Sequence, residues 1–544
     1  MRVLFRLSPA LMLYAVALLL GIWLRLDQFI AQVLIDDEWH AVHQLILSNP
    51  RDILLSFGHV DHSIPLTLLY WLEASWFGLS ELGMRWPMML CGLATLVLFP
   101  LYVWRTLGRS EAAIFALMLA LSPLLIIYSR IARPYSITLL LVYLAHFAFH
   151  RYCNNTSHRI AYGVLYGISA VLATWLILNV GPIVVAPFFI EGISVLCTPT
   201  SDRGPRLRRL LLLGVLTAVS MLLLILPPMW ANYAAISSKT GVDNPNVQTV
   251  LGVWFAWLGT PSTAIVLIYL ALAVFGAARL WRELAIVRSM TLGLALTLVI
   301  ILMMRPAWIH HSMIFGRYLL PAIPLLLLAV VTGTIRLADA IARQMWPMRK
   351  IMAAMIFLLP LLALATQSPL WEILRRPNSN LTHPVFFFDF RPDKNLFRER
   401  FNDTVPLSPY WSHLATLPRN SLRIAVAPFH YESYDWDAPR WERISRQTII
   451  PGYLNGLCVD WRLGEVPKDP RFKFRNAVFL SEATSIAAHD IDRIAYQKPY
   501  PQRNDGVPVT VGEDTANCEA VLRVRFGPPR YEDDTIIVFS KSID

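Results

Sequence analysis

Leu7-Ser-Pro-Ala-Leu-Met-Leu-Tyr-Ala-Val-Ala-Leu-Leu-Leu-Gly-Ile-Trp-Leu24 carries no charge, follows Arg2 and Arg6, and is closed by Arg25. A helix rises about 1.5 Å per residue, so a run of this length nearly matches a hydrocarbon layer of about 30 Å. No small-x-small cleavage site follows in Arg25-Leu-Asp-Gln-Phe29, so the run is read as a retained first helix rather than a leader peptide. Comparable apolar runs recur up to residue 366 and then stop. They number about eleven, near 7–26, 84–104, 111–128, 134–150, 160–178, 180–197, 210–230, 262–281, 288–304, 317–335 and 350–366. The sequence therefore predicts a polytopic α-helical membrane protein over 1–366, followed by a soluble α/β domain over 367–544.

Composition agrees. Of 544 residues, 56% are hydrophobic and 16% charged, against roughly a quarter charged in soluble domains, and the mean hydropathy is +0.48. A soluble globule is excluded. The net charge of +11 would suit nucleic acid if it formed a patch, but it follows topology instead. With the N-terminus inside, seventeen Lys and Arg fall on inner segments, from Arg2 to Lys350. Eight fall on outer ones, counting Arg25 and Arg85. An odd number of spans then puts the tail outside together with the long first loop, 27–83. Within that loop Ile64–Leu79 is too short and broken to span, and is read as one of two or three interfacial helices.

In the tail, the segments starting at Leu422, Asn476 and Thr535 read as strands, and Thr484–Ala495 as a helix. Cys458 and Cys518 are the tail's only cysteines and form a disulfide if the tail lies in an oxidising compartment. Two buried thiols are the alternative.

Four polar clusters share the expected outer face. They are Asp36-Asp37-Glu38 with His40 and His43; His59-Val-Asp61-His62; Tyr128-Ser-Arg130-Ile-Ala-Arg133-Pro-Tyr135; and Arg305, His310, His311 with Arg317-Tyr318. Crowding three carboxylates at a bilayer surface is costly, which marks Asp37 and Glu38 as catalytic candidates. A carboxylate beside a hydroxyl can act as general base. Arginines hold phosphate by charge-assisted hydrogen bonds. Asp61, His62, Arg130, Arg133, Tyr135, Arg317 and Tyr318 are the substrate-binding candidates. A divalent metal held by Glu38, His59 and His62 is geometrically open, since carboxylates and imidazoles bind such ions, but no tight spacing motif supports it and no cofactor is assigned. Simpler roles stand beside these: a helix N-cap for Asp37, a polar turn for Asp61-His62, headgroup snorkelling for the arginines, and an aromatic belt for Tyr135 and Tyr318.

Five segments, in order, resemble one family: Asp37-Glu38; Asp61-His62-x-x-Pro65-Leu66 leading to Leu69-Tyr70-Trp71; Arg85-Trp-Pro; Ser122-Pro through Tyr128-Ser-Arg-x-Ala-Arg133-Pro-Tyr135; and Arg317-Tyr-Leu-Leu-Pro321. Over about residues 1–335 the chain is similar to GT-C glycosyltransferases, the group of protein O-mannosyltransferases and lipid A aminoarabinose transferases. The resemblance implies a GT-C-like fold, a polyprenyl-phosphate sugar donor, reaction at the outer membrane face, and a functional aspartate at the position of Asp37. Two segments depart from the family pattern: Asp61-His62-Ser-Ile-Pro-Leu replaces Asp-x-His-Pro-Pro-Leu, and Arg130-Ile-Ala-Arg133 replaces Gln-Glu-Ala-Arg. The second change removes a carboxylate and adds a cation.

The expected function is transfer of a sugar from that donor to a lipid, glycan or protein hydroxyl, with inversion. The chain would sit in a bacterial inner membrane with a cytoplasmic N-terminus. No P-loop or Gly-rich phosphate loop is present in the sequence. The main alternative is a flippase of lipid-linked glycan, which would place charges near the middle of several spans and show internal repeats. A mere anchor for the tail would need a single span.

Overall fold

The computed structural model describes residues 9–26, 29–30, 38–57, 62–155, 157–197, 202–260, 262–344, 407–427, 441, 444–450, 454–455, 470–474, 478–479, 487, 490–498 and 518–541. Contacts divide the chain into two compact units. One comprises residues 1–27, 54–66 and 86–371; the other comprises 28–53, 67–85 and 372–544.

The helices before the tail are α1 (Pro9–Leu26), α2 (Trp39–Leu47), α3 (Pro50–Leu55), α4 (Ile64–Trp76), α5 (Glu81–Thr106), α6 (Arg109–Leu121), α7 (Pro123–Arg130), α8 (Tyr135–Asn154), α9 (Arg159–Leu176), α10 (Gly181–Cys197), α11 (Arg203–Ala231), α12 (Tyr233–Ser237), α13 (Val247–Leu258), α14 (Thr263–Glu283), α15 (Ala285–Met304), α16 (Ser312–Tyr318) and α17 (Ala322–Gln344). Among the described residues eight stretches are long and apolar enough to cross a membrane, or nine if α6 and α7 count as one broken span. The chain is thus a polytopic α-helical membrane protein. The short helix expected over 64–79 is α4, with 13 residues. The expected span at 350–366 lies outside the described residues.

Three expected spans take a different form. The run 111–128 is two helices bent by 59° at Ser122. Pro123 has no N–H to give Leu119 and its ring crowds the preceding turn, so α6 stops there. The run 134–150 is helical as α8, but His146, His150 and Arg151 make it more polar, and it is not among the eight. The run 317–335 becomes a helix only at Ala322, because Pro321 disfavours helical backbone at the residue before it. Arg317 and Tyr318 therefore end the separate short helix α16 rather than open the long one.

Close packing of α14 on α17 depends on two glycines. A Cβ at Gly276 would lie 2.0 Å from the Ala329 carbonyl oxygen, and one at Gly333 would lie 1.9 Å from that of Leu272. Small residues of this kind let membrane helices approach backbone to backbone. A second core joins α8, α9, α10 and α15 through Ala145, Tyr166, Ala170, Ile183 and Met290. The one imidazole inside it among the described residues, His146, is satisfied by Ser289 Oγ at 2.8 Å and the Ile183 carbonyl at 3.0 Å.

The tail carries α18 (Pro409–Leu414), β1 (Arg423–Ala427), β2 (Thr448–Ile450), β3 (Leu454–Asn455), β4 (Val478–Phe479), β5 (Arg493–Gln497), α19 (Cys518–Phe526), β6 (Tyr531–Glu532) and β7 (Ile536–Ser540). Five strands form a mixed sheet in the order β2-β1-β5-β7-β6, with β1 parallel to β2 and β5, and β7 antiparallel to β5 and β6. The three expected strands correspond to β1, β4 and β7. The expected helix 484–495 is overturned at its end, where Arg493-Ile-Ala belongs to β5. Buried along four of its five residues and flanked by β1 and β7, that strand lacks the polar alternation that marks a half-exposed one. Trp411 stacks on Trp441 with centroids 5.1 Å apart over the sheet core. Cys518 is disulfide-bonded; Cys458 lies outside the described residues.

Candidate functional site

In the membrane unit the site is built on the break between α6 and α7. That break strands carbonyls at the end of α6. Arg25 answers them: one Nη donates to the Leu119 carbonyl at 3.2 Å, the other to Ala120 at 3.4 Å and Gly21 at 3.0 Å. Arg25 is 2% exposed. Arg130, last residue of α7, returns the contact, donating from Nη1 to the Leu24 carbonyl at 3.2 Å. Each arginine thus satisfies the end of a neighbouring helix, where cations are also favoured by the dipole. Arg130, read from sequence as a substrate ligand, has this structural contact as well.

After α7 the chain turns tightly, with the Arg133 amide donating to the Ile131 carbonyl at 2.7 Å, and enters α8 at Tyr135. Arg130, Arg133 and Tyr135 are all buried. The Tyr135 ring packs on Tyr128 with centroids 4.6 Å apart, and the Arg317 guanidinium lies 5.6 Å from the centre of the Tyr135 ring. The turn between α7 and α8 and the end of α16, distant in sequence, are thereby brought together. Arg133, two residues before α8, and Arg317, over the Tyr135 ring, thus stand beside the start of a twenty-residue helix, where backbone amides favour anions.

Arg317 is held from behind. Trp257 of α13 donates from Nε1 to the Gly316 carbonyl at 3.2 Å, and a Cβ at Gly316 would lie 3.2 Å from that nitrogen. The α13 N-terminus carries a capping box of Asn246 and Thr249, and Thr249 Oγ1 also donates to the His310 carbonyl at 2.6 Å. His310 in turn bonds Asp243 through its backbone amide and through Nδ1. Burial pushes the Asp243 pKa up. The hydrogen bonds from His310 and the Asn244 amide outweigh it and hold the carboxyl below its ordinary value. His310 therefore has a scaffold partner. Tyr318 ends α16 beside Arg317, and His62 is buried just before α4.

In the other unit, Glu38 starts α2 and is fully buried against Arg85 of α5. Arg85 Nε donates to Oε1 at 2.7 Å and Nη2 to Oε2 at 2.5 Å, with the side chains 0% and 1% exposed. This bidentate pair was not anticipated, although Arg85-Trp-Pro and Asp37-Glu38 are both conspicuous in sequence. A lone arginine ahead of an apolar run, with a glutamate in the preceding loop, is the signal that points to it. The same unit joins the first loop to the tail. Leu79 and Phe472 form a bridge, with the Leu79 amide on the Arg471 carbonyl at 2.7 Å, the Lys473 amide on Leu79 at 2.8 Å, and Lys473 Nζ on the Phe77 carbonyl at 2.8 Å.

Asp36, Asp37, His59 and Asp61 lie outside the described residues. Among the described residues no group of three His, Cys, Asp or Glu is arranged to hold a metal ion. The metal expectation through His59 falls outside them.

No protein-family model matches the chain, and no curated protein matches it. Among solved structures, the chain is similar to ArnT from Cupriavidus metallidurans in the apo state, with 12% identity, 98% of this chain and 97% of that chain covered, and a TM-score of 0.44. It is similar to the same protein bound to undecaprenyl phosphate, with 13% identity, 98% of each chain covered and a TM-score of 0.43. It is also similar to the archaeal oligosaccharyltransferase AglB from Archaeoglobus fulgidus in complex with an inhibitory peptide and a dolichol-phosphate. There the identity is 12%, 90% of this chain and 69% of that chain are covered, and the TM-score is 0.40. Likeness at this level leaves the activity to be read from the chain's own residues.

Proposed function

We propose that this chain is a GT-C-type membrane glycosyltransferase that moves a sugar from a polyprenyl-phosphate donor to a hydroxyl of a lipid, glycan or protein at the outer membrane face. The observation that carries this is the meeting of Arg317 with Tyr135 beside Arg133, which joins two motifs far apart in sequence around one helix N-terminus. A buried guanidinium on Arg133 and a half-buried one on Arg317 suit a phosphate that must be held while its bond to the sugar breaks. The acceptor oxygen attacks the anomeric carbon and its proton passes to Asp37. The bond from that carbon to the phosphate oxygen breaks, and polyprenyl phosphate leaves with the electron pair. One displacement inverts the anomeric centre. Arg133 and Arg317 hold the departing phosphate, Asp61 and His62 contact the sugar or acceptor, and the buried Glu38–Arg85 pair orders the start of α2 one residue after Asp37.

The Leu79–Phe472 bridge supports a common side for the first loop and the tail. With the excess of arginine on the opposite loops, that side is the outer one, the N-terminus is cytoplasmic, and residues 367–544 form an extracytoplasmic domain of a bacterial inner-membrane protein.

Purified protein is to be given radiolabelled polyprenyl-phosphate sugars and native membrane glycolipids, with wild type and Asp37→Asn side by side. Label should pass to an acceptor with wild type and fail with Asp37→Asn, while folding and donor binding stay intact. No transfer from any donor, together with lipid-linked glycan crossing reconstituted vesicles, would replace the enzyme by a flippase.

A further inference from the structure

A second feature of the membrane unit lies at the far ends of α5 and α8. A slot of about 290 Å³ runs between α5, α6, α8, α15 and α17, walled by Leu98, Phe99, Leu140, Leu144, Phe147 and Leu328. Its wall along α8 extends from Leu140 to Arg151, eleven residues or about 16 Å of helix. That matches one leaflet of a hydrocarbon layer about 30 Å thick. Arg105 and Arg151 line one end, and no carboxylate lines the slot anywhere. The Arg151 guanidinium lies 5.4 Å from the centre of the Phe147 ring, one turn back along α8. Neither arginine is ion-paired with a carboxylate among the described residues. Tyr143, also on the wall, spends its hydroxyl on the Pro321 carbonyl at 2.9 Å, which leaves the middle of the slot apolar.

We propose that this slot binds one anionic glycerophospholipid, with an acyl chain between the helices and the phosphate on Arg105 and Arg151. On the orientation given above the lipid belongs to the inner leaflet. A zwitterionic headgroup finds no carboxylate here for its amine. The sugar donor is not the occupant, because the cations assigned to its phosphate adjoin Tyr135, about 24 Å away along α8. Basic pockets between membrane helices on the cytoplasmic side are suited to anionic headgroups.

Full-length protein is to be reconstituted in nanodiscs of phosphatidylglycerol and phosphatidylcholine in equal parts. The lipid retained after release is then read by native mass spectrometry. Wild type should keep one phosphatidylglycerol and discriminate against phosphatidylcholine, a comparison that needs no variant. Each arginine at headgroup level contributes roughly five-fold, so Arg105→Ala/Arg151→Ala should retain phosphatidylglycerol roughly 30-fold less well. Leu144→Trp should displace the lipid with both arginines in place. Equal retention of the two lipids by wild type overturns the proposal. So does retention unchanged in both variants, or polyprenyl phosphate replacing phosphatidylglycerol one for one in wild type and in neither variant. Because this readout involves no sugar transfer, its failure leaves the enzymatic proposal standing, and the converse holds too.

Discussion

Breaking the Glu38–Arg85 pair should destabilise the protein far more than removing it whole. The side chains are 0% and 1% exposed and joined by two hydrogen bonds of 2.7 and 2.5 Å. Glu38→Leu takes the carboxylate of this pair away from a buried guanidinium, and Arg85→Met takes the guanidinium away from a buried carboxylate; each should cost about 3–5 kcal/mol. Glu38→Leu/Arg85→Met removes both charges and fills the space with apolar atoms, so it should fall within about 1–2 kcal/mol of wild type. The four proteins form a double-mutant cycle, and the coupling should be about 3 kcal/mol or more, which is more than a hundred-fold in the folded-to-unfolded ratio. Unfolding in mixed micelles by titration with dodecyl sulfate measures each corner. Single variants costing under about 1 kcal/mol, or a double variant equal to the sum of the singles, would refute a buried and coupled pair. Activity adds a second reading. If the pair only orders α2, the double variant should keep most of its transfer activity. A stable but inactive double variant would give Glu38 a part in the chemistry.

Arg317→Ala should lower kcat/KM for sugar transfer by about 10- to 100-fold, with Arg317→Lys restoring part of it, since a hydrogen bond to a charged group is worth about 1.5–3 kcal/mol; equal rates for all three proteins would remove Arg317 from the donor site. Gly333→Ala should destabilise the α14–α17 contact by about 2–4 kcal/mol because its Cβ meets the Leu272 carbonyl at 1.9 Å, whereas Gly192→Ala, with open space around it, should be neutral or slightly stabilising; the comparison is made by heat inactivation in detergent. Asp533 closes the β6–β7 turn. Burial pushes its carboxyl pKa up, but hydrogen bonds from Ser408 Oγ, the Ile536 and Thr535 amides and Thr535 Oγ1 outweigh this and hold it well below the ordinary value. A depressed folded pKa gives stability that is complete above the unfolded value, near 3.9, and lost as pH falls through the folded one. Asp533→Asn should therefore weaken the tail by about 1–3 kcal/mol at neutral pH and flatten its loss of stability in acid. Hydrogen exchange of the β7 amides after brief acid pulses would register both effects, and identical acid profiles for the two proteins would exclude them.

Much of this molecule was legible from local patterns. Long apolar runs fold as helices wherever they occur, because each residue's backbone groups pair within the run and the bilayer rewards its surface, so the helices and the short α4 could be read directly. Arg133, Tyr135 and Arg317 stood out because polar groups are expensive at a membrane face. Prolines were equally local signals, and Pro123 and Pro321 divide runs that hydropathy alone leaves whole. Partnership was not local. Nothing near Arg25 says that its guanidinium serves the carbonyls that Pro123 strands at the end of α6, and the lone arginine ahead of the α5 apolar run signals a need for a counter-ion without singling out Glu38 among the loop's carboxylates. Arg493-Ile-Ala-Tyr-Gln reads as a strand only once β1 and β7 cover it on both edges. Sequence determined which segments are helical and which groups are costly to bury. Tertiary packing alone decided which distant group meets each cost, since a buried charge or open carbonyl is satisfied by whatever the fold carries next to it.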